Sequence, residues 1–195
     1  MVVRFRSMTA GLARLGRRFA RERGGVSAVE FALILPLMLM IYAGCSEVTT
    51  ALIIDRKVSR AASTISDLVA QQTSVSTSSM NGIFDATTAI LEPYNSSIAK
   101  VVVVVIDITS SGQKVAWSRA RHDTAATANA APPTGLAVPS DIASAGSEVV
   151  VGRVTYAYSS PFADVMKSIT GRTAYNLGHI FYLKPRQGTT IAFTS

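Results

Sequence analysis

Gly25-Val26-Ser27-Ala28-Val29-Glu30-Phe31-Ala32-Leu33-Ile34-Leu35-Pro36 is the stretch on which the reading of this chain turns. An arginine-rich segment precedes it. An apolar run, Leu37 to Cys45, continues it. Sixteen of the twenty residues from Val26 to Cys45 are apolar. As a helix, twenty residues rise about 30 Å, the thickness of one hydrocarbon core. A cleavable secretory core is shorter, about 7–15 residues. Glu30 is the anomaly, because a carboxylate at mid-bilayer costs roughly 2.5–3.5 kcal/mol. Near a helix start that cost falls, since unpaired N–H groups and the positive end of the helix dipole favour an anion. Pro36 cannot bond to the carbonyl of Ala32, so a kink or weak point is expected there.

The charge distribution points the same way. The formal net charge of +7 is concentrated before Val26, where seven arginines face only Glu22. The remaining residues carry twelve Lys/Arg against eleven Asp/Glu. A nucleic-acid binder needs a basic face on its folded part, and the sequence offers none. A basic block beside an apolar span reads instead as the cytoplasmic side of a membrane anchor. Mean hydropathy is +0.31, high for a purely soluble domain. Cys45 is the sole cysteine, and His122 and His179 the sole histidines. These exclude an intrachain disulfide and argue against a transition-metal site or any cofactor.

The helical pattern runs past the apolar span. Ala51, Ile54, Val58, Ala61, Ile65 and Leu68 recur at steps of three and four. Asp55, Arg56, Lys57, Arg60 and Asp67 take other faces. One helix from Val26 to about Gln72, on the order of 70 Å long, is expected, apolar all round in its first half and amphipathic in its second. Residues 71–80 read as a Ser/Thr-rich linker and 80–92 as a short helix ended by Glu92-Pro93. Ile98–Ile108 is β-branched almost throughout, as in a strand buried on both faces. Ser111-Gly112 marks a turn. Lys114–Arg121 alternates, with Val115 and Trp117 expected on one face. Residues 122–146 make a long loop. Ser147–Ser159 is a strand, Pro161–Ile169 a short helix stopped at Gly171, and Arg172–Leu183 the last strand, broken by Lys184-Pro185-Arg186 before a polar tail. The expected fold is α+β: a long N-terminal helix packed on an antiparallel sheet. The expected division is a basic leader, 1–25; a transmembrane helix, 26–46; its amphipathic continuation, 47–72; and an extracytoplasmic α+β domain, 73–195.

The basic leader, Gly25, Glu30 at the fifth place after it, and Ala28-Val29-Glu30-Phe31-Ala32-Leu33-Ile34-Leu35-Pro36 together resemble a type IV prepilin-like processing region. The wording is most similar to the TadE-like family, pseudopilins of the tight-adherence (Flp, type IVc) pilus system. Val149–Phe162, with Tyr156 and Tyr158, and Lys184-Pro185-Arg186 are also similar to that family. The resemblance implies a pilin-like fold. It implies cleavage by a membrane prepilin peptidase between Gly25 and Val26, leaving Glu30 fifth in the mature chain. A cut after Gly24 would leave it sixth. It further implies that Glu30, with Phe31 and Pro36, serves assembly, the carboxylate facing the N-terminal amine of a neighbouring pilin subunit. The implied setting is the bacterial inner membrane, with the N-terminus cytoplasmic, the C-terminal domain periplasmic and other Tad components as partners.

Two other readings stay open on the residues. One is an unprocessed single-span anchor of the same machinery. The other is a lipoprotein or tethered binding domain, because Tyr42-Ala43-Gly44-Cys45 resembles a lipobox with tyrosine in the usual aliphatic place. A Ser/His/Asp set can be assembled on paper from His122, Asp123 and His179, but no nucleophile-elbow pattern supports it, and an enzyme is not expected.

Overall fold

The computed structural model describes residues 23–162, 164, 167–168, 171 and 173–194. Residues 1–22 of the leader lie outside them, as do residues 163, 165, 166 and 169 of the expected Pro161–Ile169 helix and Arg172. The chain divides between Ser46 and Glu47 into two compact units. A single helix, α1 (Arg23–Ala70), contains the residues on both sides of that division. The helix begins three residues before Val26 and ends two before Gln72. Its helical assignment continues through Pro36.

The second unit is an α+β domain. Short strand β1 (Ser74–Ser76) leads into helix α2 (Thr77–Ala89). A 3₁₀ turn at Ser96–Ile98 precedes β2 (Ala99–Thr109), β3 (Gly112–Arg121), β4 (Ser147–Ser159), β5 (Ala174–Leu183) and β6 (Ala192–Thr194). Four strands form an antiparallel sheet in the order β3-β2-β4-β5. Strands β1 and β6 pair in parallel as a separate two-stranded ribbon.

The β-branched run of β2 does what its composition requires, with apolar residues buried on both faces. On one face Val101, Val103 and Val105 join Ile54, Val58, Ala61, Ala62, Ile65 and Val69 of α1, together with Val150, Val154, Tyr156 and Tyr158 of β4. The amphipathic half of α1 is therefore the first layer over the sheet. On the other face Val102, Val104, Ile106 and Ile108 meet Val149 and Val151 and are roofed by Leu136 and Val138 from the 122–146 loop. That loop is tied down by polar groups standing in for a strand. The Gln113 amide donates to the Val138 carbonyl at 2.7 Å and accepts from its N–H at 2.8 Å. Ser118 Oγ accepts from the Ala126 N–H at 3.0 Å and donates to the Val103 carbonyl at 2.8 Å.

The helix approaches closest at Gly152. A β-carbon there would lie 2.1 Å from Ser66 Oγ, 3.0 Å from Ile65 Cγ2 and 3.2 Å from the Ala62 carbonyl oxygen. A glycine inside a valine-rich strand has this use: it lets another backbone come close.

Four expectations need correction. First, Val115 and Trp117 lie on opposite faces. The β2–β3 register shifts between Val105 and Ile106, so Ala116 is an extra residue and the side-chain alternation changes phase. Val115 packs with the loop-side core and Trp117 with the helix-side core. Second, α2 starts three residues early because Ser76 Oγ accepts the Ser79 N–H at 3.1 Å, an N-cap supplied by the serine-rich segment itself. Third, residues 71–80 are not only a linker, since β1 lies within them. Fourth, the tail after Leu183 returns to the body. Arg186 donates its N–H to the Ala70 carbonyl at 2.8 Å and pairs through its side chain with Asp67, so it finishes the C-terminal turn of α1. Ile191 is buried, and Phe193 sits 5.3 Å from the Trp117 ring with the Arg119 guanidinium over it.

Candidate functional site

Gly25, Val26, Glu30, Phe31 and Pro36 all lie on the first turns of α1, and all are exposed. Val26 and Glu30 are four residues apart and share a face. From Val26 to Tyr42 every residue is exposed, including Phe31 at 64% and Leu33 at 75%. Water is a poor solvent for such a surface, and monomeric soluble proteins rarely expose apolar patches beyond a few hundred Å². Among the described residues one helix is long and apolar enough to cross a membrane, with a mean hydropathy of 2.1 over its most apolar window. Glu30 has no hydrogen-bond or ion-pair partner among the described residues.

The helix start matters for Glu30. Dipole stabilisation of an anion fades beyond the first turn. With α1 beginning at Arg23, Glu30 lies past that turn. A helix beginning at Val26 would bring its positive end within reach of the carboxylate.

The second unit holds three further acidic residues on α1 that sequence reasoning did not single out for a role, Asp67, already paired with Arg186, being one. Glu47 is 3% exposed, and neither carboxylate oxygen has a hydrogen-bond partner. Tyr158 is its neighbour, also buried, with its hydroxyl unpaired. The two groups do not reach hydrogen-bond geometry. Burial, and then the negative charge of Glu47, push the Tyr158 phenol up to about 12. The signal for Glu47 was an acid two places beyond the apolar run, easily taken for a solvated flank. Asp55 Oδ1 accepts a hydrogen bond from His179 Nε2 of β5 at 2.9 Å.

The imagined Ser/His/Asp set is not assembled. His122 binds the Ala99 carbonyl through Nδ1 at 3.0 Å, at the end of β3, while His179 is held by Asp55. Among the described residues no serine hydroxyl is hydrogen-bonded to either ring, and no group of three or more His, Cys, Asp or Glu could hold a metal ion. Cys45 is exposed on the unbroken helix.

An exposed apolar helix opening on Gly25 and bearing a lone carboxylate is thus followed by an amphipathic half that carries a sheet. Residues 25–66 match the TadE-like protein family. The match begins at Gly25 and takes in Glu30, Pro36 and most of the part of α1 that packs under the sheet, leaving out Val69. It ends at Ser66, so the sheet and Lys184-Pro185-Arg186 lie outside it. No curated protein and no solved structure matches the chain. The TadE-like match and the exposed apolar span together associate the protein with a membrane, as a component fitting the Tad pilus machinery.

Proposed function

We propose that the chain is a minor pseudopilin of the tight-adherence (Flp) pilus, a structural part rather than an enzyme. Its leader lies in the cytoplasm, α1 crosses the inner membrane once, and the α+β domain stands in the periplasm. A prepilin peptidase cuts between Gly25 and Val26. The TadE-like match beginning at Gly25, with Glu30 five places on, carries this reading. Cleavage would free the Val26 amine and move the helix start to the turn before Glu30, where an anion is favoured. The carboxylate would then pair with the new amine of a neighbouring subunit, which offsets the cost of burying either charge in lipid.

The test is mass spectrometry of the mature N-terminus, from cells with and without the peptidase. A chain starting at Val26 only when the peptidase is present supports processing. A leader intact under both conditions removes the processed-subunit reading. Glu30→Gln keeps the shape and loses the ion, so membrane insertion and cleavage should survive while pilus assembly fails. Normal piliation by this variant would overturn the role given to Glu30. One observation favours an unprocessed anchor of the same machinery: the helical backbone runs through the Gly25–Val26 bond back to Arg23, whereas peptidases act on unwound segments. That alternative leaves the protein in the inner membrane and absent from sheared pili.

A further inference from the structure

The two edges of the four-stranded sheet are treated very differently. Edge strand β3 is guarded: it carries Lys114, Arg119 and Arg121, it bulges at Ala116, and its Val115 backbone is already paired with Asn129 and Ala130 of the loop at 2.8 and 2.9 Å. These are the devices by which natural sheets keep strangers off an edge. Edge strand β5 has none of them. Across Ala174–Leu183 there is no proline, lysine, arginine or carboxylate, and its ten-residue register with β4 is unbroken. Among the described residues no backbone group pairs with its outer side.

A groove runs beside that open edge, between β5 and the flank of α1. Its volume is about 510 Å³, and it is lined by Arg56, Ser59, Arg60, Ser63, Thr64 and His179, among others. Asp55, the acid of this groove, is engaged by His179. Arg56 and Arg60 are exposed and have no partner among the described residues. A strand laid along β5 would place alternate side chains under those two guanidinium groups.

We infer that the β5 edge and the Arg56/Arg60 flank of α1 form one docking surface for an extended, acidic segment of a different protein, bound by strand addition. The spacing sharpens the partner's chemistry. Four helical residues separate the two arginines by a rise of about 6 Å. On a strand, side chains at i and i+2 share a face about 6.8 Å apart. The matching segment therefore carries two carboxylates with one residue between them. Bidentate arginine–carboxylate pairing supplies the selectivity, and the main-chain ladder supplies the affinity. A second copy of this chain does not fit. Its twelve acidic residues are widely spread, the closest pairs being Asp85 with Glu92 and Asp141 with Glu148, seven positions apart. The surface belongs wholly to the second unit, so the inference does not depend on whether Gly25 is cut.

The experiment is site-specific photocross-linking of the full-length protein in its native membrane. A benzophenone amino acid replaces Ser63 in the groove, and in a parallel sample replaces Lys114 on the guarded edge. The expected result is an adduct from position 63 alone, whose cross-linked peptide maps to another protein at a segment with two acids one residue apart. The double change Arg56→Glu and Arg60→Glu should cut the adduct at least tenfold, and Arg56→Lys with Arg60→Lys should retain much of it. Trp117 fluorescence melts of both variants control for folding. An adduct to a second copy, to lipid, or to a segment without carboxylates would overturn the inference. So would no adduct, or one undiminished by charge reversal in a folded variant.

Discussion

Gly152→Ala adds one methyl group where α1 crosses β4 and tests whether that contact sets the helix in place. The new carbon would stand 2.1 Å from Ser66 Oγ, 3.0 Å from Ile65 Cγ2 and 3.2 Å from the Ala62 carbonyl. The serine hydroxyl can rotate away, but it then gives up its 2.9 Å bond to the Ala62 carbonyl in a fully buried position. The helix backbone and Ile65 still have to yield. Overpacking of this kind costs about 1–3 kcal/mol and the hydrogen bond about 0.5–1.5 kcal/mol. A loss of about 2–4 kcal/mol is expected, or roughly 4–16 °C in Tm for a unit of this size. The sole tryptophan, Trp117, is a convenient reporter, buried with its Nε1–H donating to the Ile191 carbonyl at 2.7 Å. The assay is reversible denaturation of the full chain in detergent, followed by its fluorescence. Ser66→Ala removes the nearest atom, so the double variant should recover at least about 1 kcal/mol relative to the sum of the singles. A Gly152→Ala protein within about 0.5 kcal/mol of the parent, or strict additivity in the cycle, would refute the close-approach argument.

Two further predictions concern buried titratable groups. The Tyr158 phenol is raised to about 12 from an ordinary 10.0, so the folded state holds its proton where the unfolded chain releases it. Its contribution is complete below pH 10 and is lost as pH rises toward 12, amounting to about 2–3 kcal/mol. Comparing pH-dependent denaturation of the parent and Tyr158→Phe should show that extra alkaline slope only in the parent; parallel curves would contradict it. Burial, reinforced by Asp107 and opposed by the Ile191 N–H, raises the Glu148 carboxyl, so stability should fall as pH rises from 4.5 through its folded-state value. Glu148→Gln, which keeps an acceptor for the Ile191 N–H now held at 2.6 Å, should match or exceed parental stability at pH 7 by chemical denaturation. Glu148→Ala, which leaves that N–H buried and unpaired, should lose about 1–3 kcal/mol.

How much of this was legible beforehand depended on the length of each signal. The long β-branched and amphipathic runs were unambiguous: β4 spans Ser147–Ser159 as its alternation implied, and Ile54, Val58, Ala61 and Ile65 form the buried stripe of α1. Strands β1 and β6 are three residues each, too short for any periodicity, and their pairing depends on contacts that no local pattern encodes. The bulge at Ala116 defeated the alternation rule because one inserted residue reverses every later side chain. Gly152 could have been found, since a lone glycine amid Val149, Val150, Val151 and Val154 invites a close approach. For the candidate site, Gly25 and Glu30 stood out because a glycine and a carboxylate are conspicuous beside an apolar span. Glu47 did not, because its burial arises only once β4 brings Tyr158 beneath it. The β5 groove was also invisible, since Arg56 and Arg60 meet the open strand edge only after α1 is laid on the sheet.

The pairing of Ser74 with Ala192 sets an order of events during biosynthesis. The apolar part of α1 emerges from the ribosome early and can enter the bilayer while most of the sheet is still unmade. Its amphipathic half must then wait, with Ile54, Val58 and Ile65 uncovered, for β2 and β4 to arrive. The ribbon that closes beside Gln71 and Gln72 joins Ser74–Ser76 to Ala192–Thr194, so it can form only after all four strands of the sheet have been made. Contacts of such long range fold slowly. Whatever holds the waiting helix apart from its neighbours during that interval protects the protein from premature association, and a stalled or truncated chain would present the same uncovered stripe permanently.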